Sequence, residues 1–171
     1  VNDMIKEVKK LEAGGLGRPP QARREFSRVE FEALLNVLRS DHSLWQGGGN
    51  NTNKLKYCAL YVLQWQLIGR VDDLMKIEFS DVKAHTHYNF LLTARVKWSK
   101  NVIEERQAPN QILLGAYNSD VCPLLALVAY LECYGYQEVI ASNHLFLDVN
   151  GHTKARNVIK KLCSRMQFTG N

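Results

Sequence analysis

The sequence predicts a mainly helical α+β domain with one small antiparallel β-sheet, and three observations lead to this prediction. The chain has 171 residues, 46% of them hydrophobic, which is enough to bury a core. Apolar residues recur at helical spacing in both halves of the chain. Between them, residues 88–96 and 111–114 are rich in β-forming types. We expect one domain over residues 23–171, after a basic linker or the tail of a preceding module at residues 1–22.

The first predicted helix begins after Ser27. Ser27 and Glu30 have the spacing of a capping box, in which each side chain accepts a hydrogen bond from the backbone N–H of the other residue. The apolar residues that follow share one helical stripe: Phe31, Leu34, Leu35 and Leu38. We therefore expect this helix to run to about Arg39.

A second helix follows the loop GGGNNTN, which begins at Gly47. Asn51 or Thr52 can cap this helix. It is apolar nearly all round from Leu55 to Ile68, and a helix without a polar face belongs in the middle of a core.

The predicted sheet comes next. Tyr88 to Val96 and Gln111 to Leu114 have the composition of strands, and the polar run from Ser99 to Asn110 separates them. We expect two or three antiparallel strands.

The last third of the chain predicts two more helices. The first begins at Cys122-Pro123, because proline is favoured in a first turn, and Gly135 ends it. Its predicted buried stripe consists of Leu124, Leu127, Val128 and Leu131. A short apolar run, His144 to Val149, then precedes a final basic amphipathic helix after Gly151. The apolar positions of that helix are Val158, Ile159 and Leu162.

The charge distribution favours an acidic partner. The chain has a formal net charge of +5 and a pI near 9.0. Positive residues concentrate near the two ends: Lys6, Lys9, Lys10, Arg18, Arg23, Arg24 and Arg28, and then Lys154, Arg156, Lys160, Lys161 and Arg165. Two basic ends beside an apolar middle are typical of a phosphate-binding surface. The alternative is that these charges are solvated helix faces without a ligand.

Cysteine, histidine and hydropathy patterns argue against several other classes. The four cysteines, at positions 58, 122, 133 and 163, have no zinc-binding spacing, so we expect reduced thiols in an intracellular protein. His85 and His87 would face one side of a strand, but no third ligand stands nearby, so a surface hairpin is favoured over a metal site. No window approaches the ~18 uncharged apolar residues of a membrane span, and no secretory leader is visible. Both ends look cut from a longer protein.

The most specific segment is QWQLIGRVDDLMKIEFSDV, from Gln64 to Val82. It places Arg70 after an apolar helix, with Asp73 three residues later and a short strand beyond. An arginine keeps its charge, and its planar fork can bind two oxygens of one phosphate, so Arg70 suits a site that stabilises a phosphoryl transition state. The alternative is structural: Arg70 caps the carboxyl end of its helix and pairs with Asp72 or Asp73 at the surface.

This segment resembles the first catalytic box of the tyrosine recombinases, the phage integrase or DNA breaking-and-rejoining family. That box has a small residue two positions before the arginine, an acid three positions after it, and then a Trp-Ser-Asp-Ile-like strand. The run FSDV, Phe79 to Val82, fits its end, whereas Ile68 stands at the usual glycine position and Gly69 follows it. The resemblance covers about residues 22–171, because RREFSRVEFEALLNVL also resembles the helix that opens the family's catalytic domain.

In this family a β-hairpin with an active-site lysine follows the arginine box. RVKWSKN, residues 95–101, stands at that position, and the resemblance makes Lys100 the first candidate and Lys97 the second. An ammonium there can protonate the leaving 5′ oxygen. A solvated charge at a strand end is the alternative for either lysine. CPLLAL at 122–127 and HLF at 144–146 resemble the family's next helix and strand, and the combination looks most like the crypton-type branch of eukaryotic mobile elements.

Two parts of the family's active site have no counterpart in the chain. The second box, HxxR, and the tyrosine nucleophile come after the final helix in that family. His152 and Arg156 are spaced HxxxR and stand too early, so neither is assigned to that box. The tyrosines also precede the nucleophile's position and are predicted to be core or surface aromatics: Tyr57, Tyr61, Tyr88, Tyr117, Tyr130, Tyr134 and Tyr136.

The resemblance implies the amino-terminal, DNA-binding part of a catalytic domain. Its complete enzyme would join a tyrosine to a 3′ phosphate of DNA, with no cofactor and no metal. Arg70 and Lys100 would be catalytic, and Asp73 would support the arginine. The implied DNA contacts are Arg23, Arg24, Lys97, Lys154, Arg156, Lys160 and Lys161. The complete enzyme would be a tetramer on duplex DNA, nuclear in a eukaryotic host, and this chain alone a monomer without cleavage activity.

Two other hypotheses remain open. A domesticated, non-catalytic DNA-binding or protein-interaction module derived from such an enzyme fits the same residues. An unrelated helical scaffold with a basic surface predicts no salt-dependent affinity for DNA.

Overall fold

A computed structural model describes residues 27–41, 51–97, 108–147 and 151–166, with the backbone alone at 51, 52, 151 and 152. The helices are α1 Arg28–Ser40, α2 Asn51–Leu67, α3 Val71–Leu74, α4 Pro123–Tyr134, α5 Tyr136–Ser142 and α6 Gly151–Arg165. The strands are β1 Val82–Ala84, β2 Leu92–Arg95 and β3 Asn110–Leu113, and short 3-10 helices lie at Phe79–Asp81 and Ser119–Val121. This is a mainly helical α+β fold with a three-stranded antiparallel sheet, as the sequence predicts. The predicted linker at 1–22 lies outside this description, as do the side chains of the predicted caps, Asn51 and Thr52, whose backbone belongs to α2.

Helix α1 confirms the predicted capping box. The Ser27 hydroxyl accepts from the Glu30 N–H at 3.2 Å, and the Glu30 carboxylate accepts from the Ser27 N–H at 2.8 Å. The whole predicted stripe is buried, and its first ring, Phe31, stacks on Trp65 of α2 with 4.5 Å between ring centroids. The two helices therefore meet through their apolar faces.

Helix α2 is the centre of the core. Residues 57–63 are all buried, and the helix packs against α1, α3, α4 and β3. The Tyr61 hydroxyl donates to the Ala155 carbonyl oxygen at 2.6 Å, which ties α2 to α6. The central position predicted from its apolar composition is confirmed.

Lys56 departs from the predicted apolar surface of α2, because its side chain is buried. Its Nζ donates to the Leu147 carbonyl oxygen at 3.3 Å. The same atom lies 5.5 Å from the ring centroid of Tyr57 and 5.8 Å from that of Tyr134. A carbonyl and two ring faces thus replace the water that an ammonium needs.

The sheet has the strand order β1-β2-β3, and both pairs are antiparallel. The prediction that a strand begins at Tyr88 is wrong. Residues 85–91 form the turn between β1 and β2, and the His85 N–H donates to the Leu91 carbonyl oxygen at 2.9 Å. The two histidines therefore belong to a surface hairpin, as predicted. Side chains alternate across a strand, so Ala94 and Leu113 face the core and are fully buried.

Helix α4 begins at Pro123 and ends at Gly135, whose φ of 95° is one that glycine adopts at little cost. Both predicted ends are confirmed. The predicted stripe is partly wrong, because Val128 is exposed and Tyr130 is fully buried. Nearly every position of α4 is apolar, so the sequence does not fix which side faces the core.

The segment after α4 differs from the prediction in two ways. Helix α5 was not predicted. The strand predicted from His144 is reduced to a single antiparallel bridge between His144 and Glu78. Leu145 and Phe146 are nevertheless fully buried, and the Leu145 N–H donates to the Ile77 carbonyl oxygen at 2.9 Å. This run fills the core without extending the sheet.

Helix α6 is amphipathic, as predicted. Ala155 and Leu162 are buried, and Val158 and Ile159 pack against the core beside them. Near its end, Arg165 forms an ion pair with Asp41, the residue that follows α1. The opposite face of α6 is left to solvent.

Candidate functional site

The turn between α2 and α3 carries the arginine. Ile68 has a φ of 49°, in the left-handed region that β-branched residues rarely adopt, and it is 92% exposed, so little packing offsets the cost. The Gly69 N–H donates to the Gln64 carbonyl oxygen at 3.3 Å. A Cβ at Gly69 would lie 2.2 Å from Cδ1 of Leu74, a fully buried residue. A side chain at position 69 would therefore force Leu74 to shift within the core.

Arg70 stands at the N-cap of α3, and its side chain is exposed. Its carbonyl oxygen accepts from the N–H groups of Asp73 and Leu74, both at 3.0 Å. No residue within the described ranges forms a hydrogen bond or ion pair with its guanidinium. The structural alternative named Asp72 or Asp73 as its partner, but Asp72 pairs with Arg156 and Asp73 is buried. In the described part of the chain, the arginine's N–H donors therefore face solvent.

Lys97, the second candidate lysine, is held by two carboxylates. Its Nζ lies 2.9 Å from Asp81 Oδ1 and 3.2 Å from Glu78 Oε2, and its side chain is 15% exposed. Asp81 is buried, and its other oxygen accepts from the Glu78 N–H at 3.1 Å. The hydrogen bond from Lys97 holds the pKa of the Glu78 carboxyl below its ordinary value. These two contacts engage two of the three N–H donors of the ammonium and balance its charge.

The outer face of α6 is basic. Its exposed cations are Lys154, Arg156, Lys160, Lys161 and Arg165, the last of which pairs with Asp41. Arg156 forms the ion pair with Asp72 of α3, so this helix lies against the segment that begins at Arg70. This contact brings the start of α3, where Arg70 lies, next to Arg156 of α6.

The predicted site residues fall into two groups. The first joins Arg70 and Asp73 to the cations of α6 through the contact between α3 and α6. The second consists of Lys97 alone, just after β2, where Asp81 and Glu78, which were not predicted, bind its ammonium. Three predicted residues lie outside the described ranges: Arg23, Arg24 and Lys100.

The open face of the sheet carries a basic pocket that the sequence did not predict. It has a volume of about 560 Å³, and residues of all three strands line it, among them Lys83, Thr93, Arg95, Asn110 and Ile112. The signal was present, since Thr93 and Arg95 are two residues apart, as are Lys83 and His85. It was missed because β1 has three residues, too few for a recognisable alternation.

The remaining sequence predictions concern metals, thiols and tyrosines. The described residues include no group of three or more His, Cys, Asp or Glu that could hold a metal ion. All four cysteines are free.

Tyr61 and Tyr130 are fully buried, whereas Tyr117 is at the surface. Burial raises the pKa of Tyr130 to about 12, which disfavours the phenolate that a nucleophile needs.

A helix that spans a lipid bilayer needs about 20 predominantly apolar residues. None of the helices in the described part of the chain is long and apolar enough to span one.

Comparison with known proteins identifies no relative: no family model matches the chain, and neither a curated protein nor a solved structure is significantly similar to it. Function must therefore be inferred from the chain's own residues and their geometry.

Proposed function

We propose that this chain is the DNA-binding part of a tyrosine recombinase or transposase, an enzyme that breaks and rejoins DNA through a 3′-phosphotyrosyl intermediate. The observation that carries the proposal is Arg70. It is exposed beside the basic face of α6, and no carboxylate of the described residues pairs with it. Its neighbour Asp72 pairs with Arg156 instead, so the acid closest in sequence is already engaged. An arginine fork kept open in a basic surface suits a phosphate.

The backbone of the turn supports the same proposal. In the family's pattern a small residue, usually glycine, stands two positions before the arginine. Here Ile68 holds a left-handed conformation, which glycine adopts without strain. Glycine at position 68, the residue type of the family's pattern, would therefore fit the observed backbone without strain. The order of a helix, an arginine turn, an antiparallel sheet and a proline-started helix is also the family's order.

In the proposed reaction of the complete enzyme, a tyrosine hydroxyl attacks a DNA phosphodiester, bonds to the 3′ phosphate and expels the 5′ oxygen. Arg70 neutralises the charge on the nonbridging oxygens as the phosphorus becomes five-coordinate. Lys100 gives its proton to the leaving 5′ oxygen. Asp73 holds the arginine's backbone through its N–H bond of 3.0 Å to the Arg70 carbonyl. The phosphotyrosyl ester retains the energy of the original linkage, so a second 5′ hydroxyl can reseal the strand without ATP.

A non-catalytic DNA-binding or protein-interaction module derived from such an enzyme is the second candidate. The observation in its favour is Lys97, whose Nζ contacts both Asp81 and Glu78. A lysine whose ammonium is bound by two carboxylates has at most one N–H donor left for a leaving oxygen. If Lys97 stands where the family's acid stands, catalysis would be impaired while binding through α6 remained.

DNA binding is tested by titrating duplex DNA with the chain at stepped salt concentrations. The slope of log affinity against log salt should be roughly −0.9 per phosphate contact. Lys160→Gln and Lys161→Gln should each make the slope shallower by about 0.9. Arg39→Gln is the control, because Arg39 lies outside the two basic ends and pairs with Asp120. No binding at low salt, or slopes unchanged by both lysine variants, would refute the binding proposal.

Catalysis is tested in the complete enzyme. Arg70→Lys keeps the charge but loses the bidentate fork, so cleavage should slow by ~10² to 10³ while DNA affinity changes far less. Near-normal cleavage by this variant would remove Arg70 from the active site, and with it the main support for the proposal.

The general acid is tested by pairing a variant with a modified substrate. Lys100→Ala should slow cleavage of ordinary DNA by ~10². A 5′-bridging phosphorothiolate, whose sulfur leaves without a proton, should restore most of the rate. If the cleavage rate fell equally on both substrates, Lys100 would only position the DNA. If the phosphorothiolate instead rescued a Lys97 variant, Lys97 would be the general acid.

A further inference from the structure

The open face of the sheet has the geometry of an anion site. Lys83 of β1 is paired with Thr93 of β2, and Arg95 lies two residues farther along the same face. The Cα atoms of Lys83 and Arg95 are diagonal neighbours, roughly 7–8 Å apart. Two long cationic side chains with that spacing can hold one phosphate between them. Asn110, the partner of Arg95 on β3, lines the same pocket of about 560 Å³.

Lys83 supplies the charge that a ligand can use. It is exposed, and it has no ion pair within the described ranges. Arg95 lines the same pocket, and its Nε donates to the Ala108 carbonyl oxygen at 3.1 Å, which anchors one edge of the guanidinium. Lys97 contributes little, because Asp81 and Glu78 balance it. The pocket therefore attracts anions mainly through its β1 and β2 side chains.

Beside the pocket, the turn between β1 and β2 exposes a row of rings. His85 lines the pocket, and its ring centroid is 5.2 Å from that of Tyr88. The Tyr88 centroid is in turn 5.9 Å from that of Phe90. Tyr88 is 53% exposed and Phe90 is 73% exposed. A contiguous row of this kind marks an interaction surface, whereas a single exposed ring would not.

We infer that the pocket and this row of rings bind single-stranded nucleic acid, with a phosphate between Lys83 and Arg95 and unpaired bases stacked on Tyr88 and Phe90. Single-strand-binding surfaces combine a cationic groove with exposed rings, because every base has a flat face and every linkage carries a charge. A duplex keeps its base faces within its own stack, so the rings select the unpaired strand. This site is separate from the duplex-binding face of α6 and does not depend on it.

The rings are tested by fluorescence anisotropy at low salt, with labelled oligo(dT) and oligo(rU) of about six nucleotides and a duplex as probes. Tyr88→Ala and Phe90→Ala should each weaken binding of the single strands by roughly 5- to 100-fold and leave duplex binding unchanged. Tyr117→Ala is the matched control, because Tyr117 is a fully exposed tyrosine outside the row. Equal affinity of the parent chain and both ring variants for oligo(dT) would overturn the inference.

The cations are tested by the salt dependence of the same probes. Lys83→Gln should make the single-strand slope shallower by about 0.7, while Lys161→Gln should change only the duplex slope. Thymidine monophosphate should displace oligo(dT) at lower concentrations than inorganic phosphate does, because only the nucleotide engages the rings. Equal displacement by the two would overturn the stacking role. The single-strand site would be overturned if the unmodified chain did not bind oligo(dT). It would also be overturned if Lys83→Gln weakened the binding of duplex and single-stranded DNA equally. Failure of the α6 variants on duplex would count against the recombinase proposal alone.

Discussion

The turn that carries Arg70 and the strand end that carries Lys97 hold their cations in opposite ways. At Arg70 the backbone is constrained, by the close packing of Gly69 on Leu74, while the guanidinium is exposed. At Lys97 the ammonium itself is constrained, between a buried aspartate and a glutamate. A protein can position a charge through its backbone or through its counterions. Only the first way leaves the charge for a ligand, whereas the second makes it part of the fold.

The largest expected change in the free energy of unfolding comes from replacing Lys97. Lys97→Met should lower the free energy of unfolding by about 3 kcal/mol, because Asp81 stays buried without its partner. Arg70→Met should cost less than about 0.5 kcal/mol, as is usual for an exposed side chain without contacts. Urea unfolding of the two variants measures both values. Similar losses in the two proteins would break the distinction between the regions.

The next effect concerns the backbone of the arginine turn. Gly69→Ala should destabilise the protein by about 2 kcal/mol, since its Cβ would overlap Cδ1 of Leu74 at 2.2 Å. Gly115→Ala is the matched control, because its Cβ would meet Leu124 only at 3.6 Å. A Gly69→Ala protein as stable as the control would mean that Leu74 moves aside freely and that the turn is not sterically fixed.

A smaller effect of the opposite sign is expected one residue earlier. Ile68→Gly should raise the free energy of unfolding by about 1 kcal/mol, because it removes the left-handed strain and loses little buried surface. Ile68→Val keeps the strain and should leave stability almost unchanged. Thermal unfolding distinguishes the two, and destabilisation by glycine would show that the Ile68 side chain has a packing role.

The smallest effect is a pH dependence at the Lys97 cluster. The folded pKa of Glu78 is lowered, so its ion pair contributes stability above the ordinary carboxyl pKa near 4.5 and loses it as pH falls through the folded value. In a plot of the free energy of unfolding against pH, Glu78→Gln should reduce the loss of stability at acid pH. The reduction should be less than about 1 kcal/mol, because Glu78 is partly exposed. Glu132→Gln, on the exposed side of α4, is the control. If both variants lost the same stability between neutral and acid pH, the role assigned to Glu78 would be contradicted.

Local signals explain what the sequence predicted correctly. The capping box at Ser27 and Glu30 and the proline and glycine at the ends of α4 act within a few residues, so helix boundaries could be placed without tertiary information. Tyr88 shows the limit of composition, because this β-forming residue lies in a turn. Helix α5 has seven residues, too few for a clear period.

The sites required contacts that are distant in sequence. Glu78 precedes its partner Lys97 by 19 residues, and Asp72 is 84 residues from Arg156. No spacing rule links such pairs, so the sequence could nominate Arg70 but not show that its neighbouring acid pairs elsewhere. The pocket on the sheet likewise depends on the register that brings Lys83 opposite Thr93.

The edges of the small sheet have a consequence for solubility. Strand β1 has three residues with a lysine at its centre, and β3 begins with two polar amides, Asn110 and Gln111. Within the described residues each of these strands pairs on one side only, which leaves backbone donors and acceptors unpaired along both edges. Long, flat, apolar edges recruit strands from other molecules and seed aggregates, whereas short edges with charged or amide side chains resist such growth. The sheet can thus keep a face open to a ligand without becoming a template for amyloid-like assembly.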